Sequence, residues 1–289
     1  MLHSWTRYVQ TIIAQIARCG CINVILTCNV IVLLFFIGVA NALKQSMLHA
    51  GVSNQQALKQ FYIVDVHGGL GMGRTGLQDE QLQWVHDDVP DKLQLAELID
   101  YVKPSILIGL TGVGQLFTEQ SIRTMYKHCS RPIIFPLSNP TDRAECTAEQ
   151  AYTWTDGNCL YASGSPFKPV ELNGHTYHPG QSNNFFTFPG IGLGALVIQA
   201  SRITDNMLYA ASKALCEYIS DDVIQSDIFP KVDNIRDIAR CIAAAVAKAG
   251  IADQVEQIEL PQNDAELFEL IDNKMWIPKY GQIVRVNQI

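Results

Sequence analysis

The 289-residue sequence predicts an α/β fold, a doubly wound parallel sheet with further helices at the C-terminal end. Short apolar runs rich in β-branched residues, such as residues 61–64 and 106–108, are typical of buried parallel strands. Segments of helical length with capping signals separate these runs, and strands that alternate with such helices build βαβ units. With 48% hydrophobic residues, the chain can bury the core of one large or two small domains.

The predicted elements follow one another along the chain. Strands are expected at residues 61–64, 106–108, 133–135 and 160–162. Helices are expected at residues 39–49, at residues 93–101 with Asp91 as N-cap, from the cap Thr118 to about Lys127, and after the capping-box pattern of residues 147–150. Two more helices are predicted in the last third, one with Met207, Leu208, Ala211, Leu215 and Tyr218 on one face, and one from the cap Asn234 to Gly250.

The charge and cysteine content narrow the class of protein. The net charge is −7 and no block of like charges stands out, so nothing indicates a nucleic-acid partner. The eight cysteines are scattered without a C-x-x-C pair, which argues against a disulfide framework or a zinc site. We therefore expect reduced thiols in a cytoplasmic protein.

The N-terminal segment differs from the rest, because residues 19–43 contain no charged side chain and residues 30–37 are continuously apolar. One interpretation is a membrane-spanning helix over residues 21–42, since about 20 apolar residues suffice. A second is a signal peptide, although the candidate cleavage pattern at residues 40–42 lies late for one. The third is a buried parallel strand. The sequence pattern alone leaves the three open.

Polar side chains follow several of the predicted strands, at the edge where open parallel sheets bind ligands. Asp65 ends the first clear strand, where an acid bonds the ribose hydroxyls of a dinucleotide, although an ordinary turn Asp gives the same pattern. Asn139 stands in an Asn-Pro turn after residues 133–135, and the pair Asn183 and Asn184 precedes a Gly/Pro-rich apolar stretch. Such amides suit a small polar ligand or a simple surface loop.

Four phrases in order, RPIIFPLSNPT, ASGSPFKPV, HPGQSNNFFTFPGIGLG and SRITDNM, resemble the malic enzyme family. The resemblance is dense over residues 39–204 and weaker up to residues 275–280. It implies a Rossmann-like NAD-binding domain over residues 38–289, incomplete at its N-terminus, after an atypical hydrophobic segment, residues 1–37. It also implies oxidation of L-malate by NAD, followed by decarboxylation to pyruvate and carbon dioxide with the help of Mg²⁺ or Mn²⁺.

The resemblance assigns roles to residues at matching positions. Asp65 would hold the adenosine ribose, and Asn183 would lie beside the nicotinamide. Asn139 and Asn184 would contact malate, with Asn139 also near the cofactor. The remaining cofactor-binding positions are glycines, namely Gly38 and, in the turn of residues 109–114, Gly109 and Gly112.

The sequence also departs from the family pattern. The tyrosine acid, the lysine base and the metal-binding acids of the family precede the matching region and have no counterpart here, so we expect no catalytic or metal-ligating residue in this chain. Of the glycine-rich turn only Gly38 remains, with Phe35 and Phe36 at the places of other glycines. The first strand is expected just before Gly38. The acidic stretch at residues 86–88 is expected in a solvated loop.

Three functions remain possible at this point. The first is malic enzyme chemistry, impaired in a truncated chain. The second is a non-catalytic fragment that binds nucleotide or joins a malic enzyme oligomer, as a homo-oligomer or as a subunit. The third is a membrane-anchored protein with a cytosolic α/β domain. We favour a cytoplasmic chain over a membrane protein, because residues 38–43 match the first helix of the nucleotide domain.

Overall fold

A computed structural model describes residues 23–28, 33–219, 229–230, 232–259 and 263–276. Its centre is a seven-stranded sheet in the order β11-β8-β7-β6-β1-β2-β3. The strands are β1 Val24–Cys28, β2 Phe61–Asp65, β3 Gly68–Gly69, β6 Ile106–Leu110, β7 Ile133–Pro136, β8 Leu160–Ser163 and β11 Gly180–Gln181. All neighbours pair in parallel except β2 and β3. The predicted doubly wound parallel sheet is therefore confirmed.

Strand β1 occupies the centre of this sheet. Val24 pairs with Phe61 of β2 on one side and with Ile106 of β6 on the other. Its side chains alternate between the two faces, with Val24 and Leu26 in one hydrophobic core and Ile25 in the other. A strand buried on both faces is predominantly apolar, and the polar Thr27 is accommodated in β1 because its hydroxyl donates a hydrogen bond to the Ile108 carbonyl oxygen.

Helices cover both faces of the sheet. They are α1 Leu33–His49, α2 Asn54–Leu58, α3 Asp79–Leu82, α4 Leu95–Val102, α5 Glu119–His128, α6 Ala148–Trp154, α7 Phe188–Val197, α8 Asp205–Tyr218, α9 Ile235–Ala252 and α10 Asp264–Lys274. Buried residues of α1, α7, α8 and α9 form one core with the sheet. Buried residues of α4, α5 and α6 form the other. Two small sheets pair β4 Gly71–Met72 with β5 His86–Pro90 and β9 Val170–Leu172 with β10 His175–Tyr177.

The first strand and helix begin earlier than the sequence predicts. The prediction that the strand lies just before Gly38 is wrong, because α1 already begins at Leu33 and the strand is Val24–Cys28. A continuously apolar run fits a buried strand and a buried helix equally well, so periodicity cannot separate them. Phe35, Phe36 and Gly38 all belong to α1. The domain boundary between residues 37 and 38 stays a prediction, and α1 runs across it.

Two of the predicted helix caps are present in the structure, and a third is not. Thr118 and Thr147 cap α5 and α6 by accepting hydrogen bonds from Ser121 N and Gln150 N, as predicted. Asp91 does not cap α4, which begins after the capping box of Gln94 and Glu97.

The C-terminal helices follow the predicted pattern less closely. Asn234 precedes α9 without a side-chain capping bond. Gly250 does not end that helix, which continues to Ala252. A Cβ at Gly250 would lie 2.5 Å from Ile198 Cδ1, so the Ile198 side chain packs closely over this glycine.

The stretch at residues 86–88 is not a solvated loop, which corrects the prediction. His86 begins β5, is buried and places its Nε2 atom 2.9 Å from the Phe61 carbonyl oxygen. Its ring stacks on Tyr62. Asp87 and Asp88 are exposed, as expected, and the Asp88 side chain is 83% exposed.

The membrane interpretation gains no support from the described residues. Among them, no helix has the length and apolar character needed to cross a bilayer. Part of the apolar run is instead strand β1, paired on both sides within the sheet. The signal-peptide interpretation falls largely on residues 1–22, which lie outside the described residues.

Candidate functional site

The carboxyl ends of the parallel strands meet at one edge of the sheet, and the candidate site is built there. Asp65 ends β2, Thr111 follows β6, and Ser138 and Asn139 follow β7. Ser182 to Asn184 follow β11. The topology thus brings the predicted polar residues to the same edge, on neighbouring strands or one strand apart.

Asp65 is held in place by a buried arginine. Its Oδ1 atom accepts a hydrogen bond from His67 N at 2.8 Å and one from Arg74 Nη2 at 3.2 Å. The Arg74 side chain is 4% exposed and also pairs with Asp91 at 2.8 Å. Its Nη2 atom further donates to the carbonyl oxygens of Gly68 and Gly69. The charge of Arg74 is therefore paired inside the protein, and its side chain is not directed at solvent.

The loop after β6 contains the two glycines predicted to line the groove, and the structure gives them different surroundings. Gly109 is buried, and a Cβ there would lie 2.4 Å from Glu145 Cδ. Gly112 has a φ of +68°, which favours glycine, and no atom would lie within 4 Å of its Cβ. Gly112 thus leaves open space at this edge, whereas Gly109 makes room for a side chain of the protein.

Glu145 joins the loops that follow β6 and β7. Its carboxylate accepts hydrogen bonds from Thr111 N and Thr111 Oγ1 on the first loop. It also accepts from Ser138 Oγ, at 2.5 Å, on the second. Burial raises the pKa of the neighbouring Cys146 thiol well above its usual value, and the charges of Cys159 and Glu145 add to the shift.

Asn139 lies exposed at the start of the turn after β7, with a cis peptide bond to Pro140. Its Oδ1 atom accepts a hydrogen bond from Ser165 Oγ at 2.5 Å, which ties it to the loop after β8. Gly164 is required beside it, because a Cβ there would lie 2.7 Å from Asn139 Nδ2 and 2.5 Å from the Leu137 carbonyl oxygen. The amide is therefore positioned by two loops at the same edge.

The paired amides lie further along this edge, after the edge strand β11. Asn183 accepts a hydrogen bond from Phe185 N through its side chain and so caps the short 3₁₀ helix Asn184–Phe186. The carbonyl oxygen of Asn184 accepts from Thr187 N. Both side chains are half-buried. Gly38 lies within helix α1 and not in a turn.

A cavity of about 660 Å³ lies away from these residues. It is lined in part by Arg131, Tyr152, His175 and His178, near the amino ends of β7 and β8. None of the predicted site residues lines it. The predicted chemistry and this cavity therefore occupy opposite edges of the sheet.

A metal site would require several acidic, histidine or cysteine side chains close to one another. In the part of the chain that the structure describes, no three His, Cys, Asp or Glu side chains come together in a way that could hold a metal ion. Catalytic acids and bases of the family precede the matched region, as the resemblance implies.

Sequence reasoning missed Glu145, and it assigned Asp91 to a helix cap, whereas the structure pairs Asp91 with Arg74. Glu145 contacts Thr111, which is 34 residues away in sequence, and no local sequence pattern indicates such a contact. The one available signal is an acidic residue between Ala144 and Cys146, two residues before a helix cap. An acid between small apolar residues is a weak sign of burial.

Comparison with known proteins shows which family has this architecture. The family described as "Malic enzyme, NAD binding domain" matches residues 36–251. An NADP-dependent malic enzyme of Dictyostelium discoideum is 42% identical over 249 residues, which cover 85% of this chain and 45% of that protein. An NAD-dependent malic enzyme of Shewanella frigidimarina is 40% identical over 260 residues, with 86% and 46% covered. The chain thus spans about half the length of the curated relatives it matches.

Solved structures agree on the fold. A malic enzyme of Entamoeba histolytica has a TM-score of 0.69 at 22% identity, covering 94% of this chain and 52% of that one. A malic enzyme of Pyrococcus horikoshii has a TM-score of 0.64 at 20% identity, with 94% and 59% covered. From the family match over residues 36–251 and these relatives, the chain belongs to the malic enzyme family and contains its NAD-binding domain.

Proposed function

We propose that the chain binds NAD along the carboxyl edge of its sheet and provides the cofactor-binding part of the malic enzyme reaction. In that reaction NAD accepts a hydride from L-malate, which is decarboxylated to pyruvate and carbon dioxide. Asp65 binds the adenosine ribose and Asn183 lies beside the nicotinamide. Asn139 and Asn184 bind malate, with Asn139 also near the cofactor, and Gly112 lines the groove.

The observation that carries this proposal is the position of Asp65. It lies at the carboxyl end of β2, next to the central strand, which is where an acid bonds ribose hydroxyls in dinucleotide-binding sheets. Its Oδ1 atom is occupied by His67 N and Arg74, while Oδ2 is left for a ligand. Its side chain is 10% exposed, so the carboxylate is oriented before any ligand arrives.

The same geometry supports NAD over NADP. The Asp65 carboxylate would repel a 2′-phosphate. Arg74 could offset that repulsion only by turning toward the phosphate. It is held by Asp65, Asp91 and two carbonyl groups, so turning would leave these partners unsatisfied.

A second candidate is nucleotide binding without turnover by this chain, alone or within a malic enzyme oligomer. The observation in its favour is that the described residues contain no group of three potential metal ligands. Mg²⁺ or Mn²⁺ binding, assembly with other subunits and a cytoplasmic location stay predictions.

The test is a titration of the purified chain with NADH, NAD and NADP, followed by protein and NADH fluorescence and by calorimetry. We expect tighter binding of NAD than of NADP. Asp65→Asn should weaken NAD binding by roughly tenfold or more, the effect of losing one hydrogen bond from a charged group. Asp88→Asn, at a side chain that is 83% exposed, is the matched control and should change nothing. Tighter binding of NADP, or equal effects of both variants, would contradict the proposal.

A further inference from the structure

Glu145 is a fully buried carboxylate that the proposed function does not yet use. The residue is 0% exposed and lies between the 3₁₀ helix Thr141–Arg143 and helix α6. Burying a charge is unfavourable unless hydrogen bonds compensate it. The contacts of this side chain therefore show what the charge is used for.

Its hydrogen bonds run to two loops of the candidate site. On the loop after β6, Thr111 N and Thr111 Oγ1 donate to Glu145 Oε1 at 2.9 and 2.7 Å. On the loop after β7, Ser138 Oγ donates to the same oxygen at 2.5 Å, and Ser138 N donates to Oε2 at 3.4 Å. All four partners are donors, which is the arrangement that an ionised carboxylate requires.

The two loops are also joined to each other through Ser138. Gly112 N donates a hydrogen bond to Ser138 Oγ at 2.8 Å, and the Ser138 hydroxyl in turn donates a hydrogen bond to Glu145. The carboxylate thus orients the hydroxyl that holds Gly112. The next residue after Ser138 is Asn139, so one side chain controls both Gly112 and the backbone that carries Asn139.

The sheet is built to admit this carboxylate. A Cβ at Gly109 would lie 2.4 Å from Glu145 Cδ and 2.6 Å from Oε2. Any side chain at position 109 would displace Glu145 from between the loops. This gives Gly109 a role that does not depend on direct contact with the cofactor.

We propose that Glu145 is a positioning residue, which fixes the loops after β6 and β7 in one arrangement so that Gly112 and Asn139 face the same bound dinucleotide. The inference rests on the proposed function for the identity of the ligand. The carboxylate touches neither cofactor nor substrate and acts through Thr111 and Ser138. Its value to binding is preorganisation, because loops already in place lose less conformational freedom when the ligand arrives.

The experiment compares Glu145→Gln with Thr155→Val in the full chain. Gln keeps the shape of Glu but removes the charge and turns one acceptor into a donor that faces Ser138 N. Thr155 is also 0% exposed, and its hydroxyl donates to the Ala151 carbonyl oxygen at the end of α6, away from the site. Thr155→Val therefore controls for the loss of a buried hydrogen bond. The two readouts are hydrogen exchange of the Thr111 and Gly112 amides and the dissociation constant for NADH.

We expect Glu145→Gln to speed exchange of both amides, and to weaken NADH binding, by about tenfold or more, as for the loss of a hydrogen bond to a charged group. Thr155→Val should leave the NADH dissociation constant unchanged. It should speed exchange of the two amides only as far as it lowers the stability of the whole protein. If Glu145→Gln does not fold, Thr111→Val removes one donor to Glu145, together with the acceptor of Val113 N, and should shift both readouts in the same direction by a smaller factor. Exchange at Thr111 and Gly112 no faster than in Thr155→Val would overturn the inference. If the unchanged chain fails to bind NADH, the proposed function is contradicted, while the exchange comparison still decides the role of Glu145.

Discussion

Arg74 shows how a buried charge can be stabilised beside a ligand site. Its guanidinium is paired with the carboxylates of Asp65 and Asp91 and donates to the carbonyl oxygens of Gly68 and Gly69. Removing one member of such a network leaves the others buried without a partner, which costs more than the network contributes as a whole. The network should therefore matter for stability and for the orientation of Asp65.

We predict that Arg74→Met lowers the free energy of unfolding by about 3–5 kcal/mol, because two partly buried carboxylates lose their cation. Arg123→Met is the matched control. Arg123 pairs with Glu119 on the surface of α5, with side chains 45% and 55% exposed, and its loss should cost only about 0.3–0.5 kcal/mol. Urea denaturation measures both values, and similar effects of the two substitutions would show that the buried network is not important.

Residues of the candidate site differ in how well a sequence reveals them. Asp65 and Asn139 can be predicted because Asp65 ends one strand and Asn139 lies in the turn after another, and strand ends are visible as apolar runs that stop. Glu145 cannot be predicted in this way, because its partners Thr111 and Ser138 come from other loops. The use of Gly109 to admit Glu145 is also visible only in three dimensions.

Among the elements, helix α7 depends on glycines for its packing. Gly190 and Gly194 face helix α9, where a Cβ at position 190 would lie 2.6 Å from Ile242 Cβ. A Cβ at position 194 would lie 2.6 Å from the Ala243 carbonyl oxygen. Gly192, on the same helix, has nothing within 4 Å of its Cβ position. The two helices can approach closely because one of them lacks side chains on the contact face.

Gly194→Ala should destabilise the protein by about 1–3 kcal/mol, the usual cost of forcing extra atoms into a packed interior. Gly192→Ala should instead be neutral or stabilise by up to about 1 kcal/mol, because alanine favours a helix over glycine. Thermal and urea unfolding of the two variants give the comparison. A loss of stability in Gly192→Ala equal to that in Gly194→Ala would be inconsistent with the described packing.

Strands and helices could be predicted from the sequence where polar residues interrupt apolar ones. Thr118 and Thr147 mark helix starts correctly because a hydroxyl cap is a local interaction over three residues. The start of α1 could not be predicted, since the apolar run shows no period that separates helix from strand. Asp91 resembles a cap in sequence, but it pairs with Arg74 instead.

At the scale of the whole molecule, the two larger hydrophobic cores lie on the two faces of one sheet. The candidate site lies at the carboxyl edge, between elements from both cores. Cofactor binding and the reaction on malate require different groups. The first needs only the sheet edge and its loops, whereas the second also needs a metal ion and acid–base groups.

We predict that the 289-residue chain, incubated with L-malate, NAD and Mn²⁺, forms NADH no faster than a protein-free control. The reason is that the resemblance assigns the metal-binding acids of the family to segments that precede the matching region. Acid–base groups, which typically contribute about 10²–10⁴-fold, are assigned by the resemblance to segments outside the match. Absorbance of NADH measures the rate, and heat-inactivated protein is the control. Metal-dependent NADH formation that saturates with malate would show that the prediction is wrong.

Because β1 lies at the centre of the sheet, the order in which the ribosome synthesises the chain affects folding. Thr27 reaches its hydrogen-bond acceptor, the Ile108 carbonyl oxygen, across 81 residues of sequence. At translation rates of about 5–20 residues per second, the partner emerges roughly 4–16 s later. During that interval β1 is exposed without β6, one of its two neighbouring strands. Holdase chaperones recognise exposed apolar segments of this kind. Newly made protein should therefore depend on chaperone capacity during synthesis more than the finished fold does afterwards.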